Sequence, residues 1–388
     1  MCARVRGWLL DLYEDANDGL CLWFITETGA RIRLRQKMEV VFYASGESKQ
    51  LRMLWKFLQR HSEVLDLQRE TRRDAFIPEP VTVLKAVVDS PVNEMRLFRE
   101  VQQRFPHLTY YDSDISTHIR HAARYGTFPM AFCDIEYDDN DSIQSLKTLN
   151  SRWDLSPVLP VLRSLTLEPD CDPTRNEPST INVQFKQRKQ TLSLKSAGEL
   201  IHRLNNILRE IDPDLILTSW GDTWLIPQLL TLSEKAGEKL CLNRDERRGV
   251  RWQKALTYFS YGQIIYRPEE AHLFGRCHID MRSAMMWRDY GLDGVLESAR
   301  VTASPIEKAA RVSPGSGISA MQMLTALEKN ILVPWHKQQV EAFKDGIDLI
   351  HRDRGGLINQ PIVGLHTDVA QIDFISMYPA IIIKGNIS

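Results

Sequence analysis

Between Leu162 and Leu217 the apolar segments follow one another as strand, strand, strand, helix, strand. Leu162–Leu167, Ile181–Phe185 and Thr191–Leu194 are short runs of strand length. Ser196–Glu210 instead places Leu200, Ile201, Leu204, Ile207 and Leu208 on one face of a helix. Asp212-Pro213-Asp214 stops that helix, because proline lacks an amide donor and restricts the residue before it. Leu215-Ile216-Leu217 then reads as a buried strand. Strands that lead through a helix to another strand define an α/β order, a sheet covered by helices. Such layers need a sizeable core, and 388 residues with 43% hydrophobic and 26% charged side chains can supply one. The length suits two or three domains of roughly 100–200 residues each.

Outside this stretch the patterning is mixed. Residues 1–45 alternate as in a small antiparallel sheet, for example Leu20-Cys21-Leu22-Trp23-Phe24-Ile25. Gln50–Arg60 and Pro91–Arg104 have helical spacing. Phe128–Phe132 opens a strand closed by the acidic turn Asp138-Asp139-Asn140-Asp141. Tyr258–Tyr266 and His272–Asp280 pair as a hairpin around Arg267-Pro268-Glu269-Glu270. Helices are expected at 319–331 and 335–352, and a strand at Val369–Phe374.

Charge and cysteine usage exclude several classes. Lys and Arg number 49 against 50 Asp and Glu, a net charge of −1, which excludes a uniformly basic nucleic-acid surface but leaves local patches. No run approaches the roughly 18 apolar residues of a membrane span. Asp11 and Glu14 cut short the run after Trp8-Leu9-Leu10, so no signal peptide is expected. Six scattered cysteines without a CxxC pair point to reduced thiols in the cytoplasm and no zinc ribbon.

The segment Ala370-Gln371-Ile372-Asp373-Phe374-Ile375-Ser376-Met377-Tyr378-Pro379-Ala380-Ile381-Ile382 has its own physical logic. A strand delivers the Asp373 carboxylate to its end. A turn exposes the amides of Ser376, Met377 and Tyr378, and a helix begins at Pro379. A hard oxygen ligand, an amide nest and a helix N-terminus suit a metal-bound polyphosphate. A plain strand-to-helix turn with a solvated Asp373 is the alternative.

This segment resembles motif A of family-B DNA polymerases, Asp-x-x-Ser-Leu-Tyr-Pro-Ser-Ile-Ile followed by Asn-Ile-Ser. Met377 and Ala380 replace Leu and Ser, and Asn386-Ile387-Ser388 completes the pattern. The approach through Asp353-Arg354-Gly355-Gly356-Leu357, Pro361, Gly364 and His366 resembles that of an exonuclease-defective archaeal and bacterial subgroup. The resemblance implies a multidomain α/β (α+β) chain. Residues 1–155 would form the polymerase N-terminal domain, joined by 336–362. Residues 156–335 would form a ribonuclease-H-like domain of the 3′–5′ exonuclease type, and 363–388 the start of the palm. It further implies that Asp373 binds the catalytic Mg²⁺ ions of a two-metal site. Phe374, Ser376, Met377 and Tyr378 would hold metal and triphosphate, with Tyr378 under the deoxyribose.

The exonuclease resemblance is degenerate. The first motif, Asp-x-Glu on a strand, reads Thr166-Leu167-Glu168. The second follows Asp212-Pro213-Asp214 and its strand, where Trp220 and Trp224-Leu225 replace Asn and Phe-Asp. The third, Tyr-x-x-x-Asp, reads Gly315 and Ser319. Thr166, Leu225 and Ser319 cannot replace three anionic Mg²⁺ ligands. Asp134-Ile135-Glu136 matches Asp-x-Glu by itself, and Asp222 is a substitute ligand from a neighbouring position. Gly315-Ser316-Gly317 resembles a dinucleotide loop but reads better as a helix entry.

Arg244, Arg247, Arg248, Arg251 and Lys254 surround Trp252, a pattern that grips single strands or forms a solvated loop with Asp245 and Glu246. Arg69, Arg72 and Arg73 form a smaller cluster. The expected partners are primer–template DNA, dNTP and a C-terminal polymerase chain with the rest of palm, fingers and thumb, in a nucleoid-associated setting without a membrane. The alternative is a non-catalytic module on an inactive exonuclease fold that binds single-stranded DNA or a replication partner.

Overall fold

The computed structural model describes residues 3–17, 19–260, 263–335, 343, 345–352 and 360–386. The chain divides into two units, Met1–Lys337 and Gln338–Ser388. The first unit begins with β1 (Ala3–Asp15), β2 (Gly19–Thr26), β3 (Arg31–Gln36), β4 (Val40–Ser45), α1 (Ser48–Leu58), β5 (Val64–Arg73), β6 (Pro80–Val88) and α2 (Pro91–Arg104). It continues with β7 (Thr109–Tyr111), α3 (Thr117–Tyr125), β8 (Phe132–Tyr137), β9 (Ile143–Thr148), β10 (Ser164–Pro169), β11 (Thr180–Phe185), β12 (Arg188–Ser193), α4 (Ala197–Ile211) and β13 (Leu215–Thr218). A π-helical turn, Gly221–Leu225, leads into α5 (Ile226–Ala236), then β14 (Arg251–Gln253), β15 (Leu256–Ser260), β16 (Gln263–Arg267), β17 (Glu270–His272) and β18 (Cys277–Asp280). Helices α6 (Met285–Thr302), α7 (Ile306–Arg311) and α8 (Pro314–Glu328) close the unit. The second unit holds α9 (Gly346–Arg352) and α10 (Met377–Gly385).

Three larger sheets organise the first unit. One is antiparallel, in the order β3-β2-β1-β8-β9. A second, β5-β6-β4-β7, carries α1 and α2 in a β-α-β-β-α-β arrangement. The third, β12-β11-β10-β13-β18, has parallel β10, β13 and β18 and an antiparallel β11–β12 edge. This is the α/β sheet expected from 162–217. Local signals start and stop its helix: Ser196 accepts a hydrogen bond from the Glu199 amide at 3.4 Å, and Asp212 ends α4 in a left-handed conformation, φ 45°. Likewise Ser90 caps α2, with Pro91 in its first turn.

Several expectations need correction. The small antiparallel sheet expected in 1–45 forms from β1, β2 and β3, but its strands are not alternately apolar and polar throughout, because both faces are covered. Leu20, Leu22 and Phe24 enter one core with Leu34, Phe42 and Ile119, whereas Cys21, Trp23 and Ile25 enter another with Leu215, Leu217, Cys277 and Ile279. A sheet buried on both faces reads as a continuous apolar run. The expected 258–280 hairpin does not form: β15 pairs with β16, β17 with β14, and β18 runs parallel to β13. Val369–Phe374 forms no strand, and α10 begins at Met377 rather than Pro379. Residues 336–342 of the expected 335–352 helix, and 353–359, lie outside the described residues.

Asp214 ties the first and third sheets together. Its fully buried carboxylate meets Arg31 of β3 at 2.6 Å and Arg244 at 3.0 Å, and accepts from the Arg163 amide at 2.9 Å. Burial alone would raise its pKa, but the Arg31 hydrogen bonds, the Arg163 amide and the Arg244 charge hold it below its ordinary value. Arg31→Met should destabilise the chain by about 3 kcal/mol in urea denaturation, because a buried charge loses a partner. A carboxylate with a depressed pKa stabilises above its ordinary value of 3.8, so the gap between wild type and variant should narrow as pH falls below that value. Equal stabilities at neutral pH would show the pair to be idle.

Candidate functional site

Strand β10 sets out the expected exonuclease face. Thr166 stands opposite Leu217 of β13 and Gln184 of β11, and two residues on, Glu168 shares its face by the pleat. Glu168 accepts a hydrogen bond from Ser219 Oγ at 2.7 Å. Leu225, from the π-helical turn, is fully buried in a cluster with Leu165 and Leu167, whose side chains point to the other face of β10. Ser319 is exposed on α8 and donates to the Gly315 carbonyl at 3.1 Å. Helix α8 packs on α3 and α6, and its Ala320 and Leu324 join the core built mainly by the N-terminal strands. Of the four expected positions the structure brings together only Thr166 and Glu168. Among the described residues no three His, Cys, Asp or Glu side chains gather as a metal site.

Both substitute candidates are paired with cations. Asp134 lies on β8 of the first sheet and accepts from Arg4 Nε at 2.8 Å, while Glu136 is exposed. Asp222 is buried and paired with Arg311 at 3.1 Å, and it accepts from the Ala271 amide at 2.9 Å. Burial would raise the Asp222 pKa, but Arg311, His278 and the Ala271 amide hold it low. The Asp222 amide donates to Asp280 at 3.1 Å, and burial pushes the Asp280 carboxyl above its ordinary value. Backbone packing here is tight: a Cβ on Gly221 would lie 1.8 Å from Thr218 Oγ1 and 2.6 Å from His278 Nε2. The Gly315 turn opens α8 and follows helix α7, which suits a helix entry.

Sequence reasoning missed the rest of this network. Glu307 accepts from the His278 amide at 2.7 Å and meets His272 at 2.8 Å, and His272 also meets Glu270 at 3.2 Å. It also missed the Arg282 guanidinium, 4.1 Å from the Trp220 ring centre, with Trp220 left-handed at φ 54°. The available signal was an acid ending an apolar strand, Cys277-His278-Ile279-Asp280, which the hairpin assignment obscured.

The 244–254 cluster is not one free basic surface. Arg244 is tied to Asp212 at 2.8 Å and to Asp214, Arg247 to Asp245 at 3.0 Å, and Arg248 to Asp15 at 2.6 Å. Trp252 is half-buried against the β10–β13 core. Arg251 and Lys254 face solvent, with Arg251 also over the Phe274 ring.

In the second unit, Asp373 and Phe374 are exposed and non-helical. Ser376 adopts a left-handed conformation, φ 52° and ψ 39°, immediately before α10, and its carbonyl accepts from the Ala380 amide at 2.9 Å. A left-handed residue followed by a helical one is the backbone of an amide nest. The Met377 and Tyr378 amides head the helix, where no side chain caps them. Asp373 supplies one oxygen-bearing side chain, and the described residues do not fit a complete two-metal Mg²⁺ site.

No family model matches the sequence. DNA polymerase 1 of Pyrococcus abyssi is 29% identical over 240 residues, covering 50% of this chain and 31% of that protein. DNA polymerase of Pyrococcus horikoshii is 22% identical over 383 residues, covering 85% of this chain and 30% of that protein. In three dimensions the family B DNA polymerase from Pyrobaculum calidifontis matches with a TM-score of 0.63 and 17% identity, over 87% of this chain and 52% of that chain. The chain is thus similar in sequence to archaeal DNA polymerases and shares its fold with part of a family B DNA polymerase. It spans about a third of the length of these two curated relatives. The shared fold agrees with the multidomain α+β architecture.

The His272 network sets a pH dependence. Burial would lower the His272 pKa, but its bonds to Glu270 and Glu307 raise it above the ordinary 6.5. A raised histidine stabilises fully below that value and loses its contribution as pH climbs through the folded pKa. Against His272→Gln, wild type should therefore hold its largest advantage below pH 6.5 and lose it above. Thermal melts of both proteins across pH check this, and a constant difference would remove His272 as the source.

Proposed function

We propose that the chain serves template-directed DNA synthesis as the N-terminal part of a family-B DNA polymerase, acting on dNTP and primer–template DNA. The observation that carries this reading is the order Asp373, left-handed Ser376, then the open amides of α10. Amides at a helix start attract the phosphates of a nucleotide. The Tyr378 ring, 66% exposed, presents a flat wall for the sugar. When bound, Mg²⁺ supplies Lewis-acid stabilisation of phosphoryl transfer. Asp373 is one candidate ligand, and a two-metal site also needs further palm carboxylates, with fingers and thumb to hold nucleotide and primer. Mixed with a polypeptide carrying those parts, the chain should extend a primer. Asp373→Ala should reduce extension about a hundredfold or more, and Tyr378→Ala should chiefly relax discrimination against ribonucleotides. Undiminished extension by Asp373→Ala would defeat the assignment.

The same reading includes an inactive exonuclease site, supported by Thr166, by the buried Leu225 and by the placement of Ser319 on α8. Labelled single-stranded DNA incubated with the chain and Mg²⁺ or Mn²⁺ should keep its length. Shortening that Glu168→Ala abolishes would overturn this, and shortening abolished by Asp134→Ala would move the site to β8.

A second reading, a single-strand-binding module on an inactive exonuclease fold, is favoured by Trp220 and Arg282, an aromatic ring and a cation close to Ser219 and Glu168. Binding of DNA by the reconstituted mixture without any primer extension would select it. Among the described residues no helix is long and apolar enough to cross a membrane.

A further inference from the structure

A groove of about 760 Å³ runs between α1 and the edge of the β5-β6-β4-β7 sheet. Leu51, Trp55 and Leu84 line it with apolar surface, and Arg52, Lys56 and Arg69 line it with positive charge. Trp55 is half-buried, its ring backed by the N-terminal core. Arg52 and Lys56 lie four residues apart on α1, so they stack along one helix face roughly 6 Å apart. Arg69 enters from β5, where it pairs in register with Leu84 of β6. No carboxylate lines the groove, and α1 contains no acidic residue. Among the described residues none of these three cations is seen in an ion pair, and Arg52 donates to the Ser48 carbonyl at 3.2 Å. The arginines at 244, 247 and 248 are paired, so the groove is a separate local positive field on a chain whose net charge is −1.

The opposite face of the same sheet is closed. Tyr43, Val83 and Tyr111 are buried there with Leu332, so those two aromatics are unavailable to a base. On the groove side a ring and flanking cations remain accessible. That is the combination by which proteins hold single strands, a base stacked on the ring and phosphates beside the cations.

We propose that this groove holds single-stranded DNA, with a base on Trp55 and phosphates at Arg52, Lys56 and Arg69. The inference rests on the reading of the chain as part of a DNA polymerase and adds a contact surface outside the motif around Asp373. The test is fluorescence anisotropy of a labelled oligothymidine with the full chain, across a series of salt concentrations. Arg52→Ala, Lys56→Ala and Arg69→Ala combined should flatten the slope of log affinity against log salt by about 2, at about 0.7 per phosphate contact. Trp55→Leu should weaken binding roughly tenfold at fixed salt and leave the slope unchanged. The three cations are surface groups, so the triple variant should melt like wild type and carries the test even if Trp55→Leu lowers the melting temperature. An unchanged slope in the triple variant would overturn the groove, as would a slope carried wholly by Arg251→Ala with Lys254→Ala. Tighter binding of an oligouridine of equal length would overturn DNA as the occupant. Primer extension by the reconstituted mixture separates the two readings. Extension with an unchanged slope removes the groove alone, whereas a flattened slope without extension keeps the groove and removes the polymerase assignment.

Discussion

The buried carboxylate of Asp214 constrains how the first unit can assemble. An isolated ion in such a setting costs several kcal/mol. Here Arg31 reaches it from the first sheet and Arg244 from the segment after α5. Satisfying one charge therefore requires that both elements arrive together. Around it, Tyr13 donates to Asp245 at 2.7 Å, the Gly275 amide donates to Asp11 at 2.8 Å, and Arg248 meets Asp15. Polar pairs and the apolar cluster of Leu10, Trp23, Leu217 and Ile279 join the same two sheets. The sheets are held as one body by groups that would be costly to separate.

This joining explains why basic residues close in sequence have different roles. Arg244, Arg247 and Arg248 are drawn into acids of the seam and its loop, whereas Arg251, two residues past a glycine, faces outward. The Arg52, Lys56 and Arg69 set lies on elements that contribute nothing to the seam, and it keeps its charge in solvent. The difference is set by which carboxylates the fold brings close, not by the spacing of the cations.

Much of the architecture was legible because its signals are local. Ser90-Pro91 marks the start of α2, and Ser196 and Asp212 bound α4 within a residue or two of the expected limits. Strands β10 to β13 follow from short apolar runs with clear stops. What failed depended on partners distant in sequence. Nothing near Tyr258 says that β16 will be its partner while Cys277–Asp280 crosses to β13. Nothing near Trp23 says that a second core will cover it. At the candidate site the identities of Thr166, Glu168 and Leu225 could be read from position, but the pairing of Asp222 with Arg311 could not, since 89 residues separate them. Short apolar runs such as Val369–Phe374 leave strand and coil undecided on pattern alone.

Leu225 has an evolutionary consequence. Its side chain is fully enclosed among Leu165, Leu167, Leu229 and their neighbours. An aspartate there would place an ionised group in an apolar pocket, at a cost of several kcal/mol without a cation or metal to meet it. That is a large fraction of a domain's net stability of about 5–15 kcal/mol. A metal held beside Thr166 and Glu168 could not offset that cost, because position 225 packs on the other face of β10. Packing at position 225 acts as a ratchet: with this leucine in place, an acid at 225 is penalised before any neighbouring group can reward it.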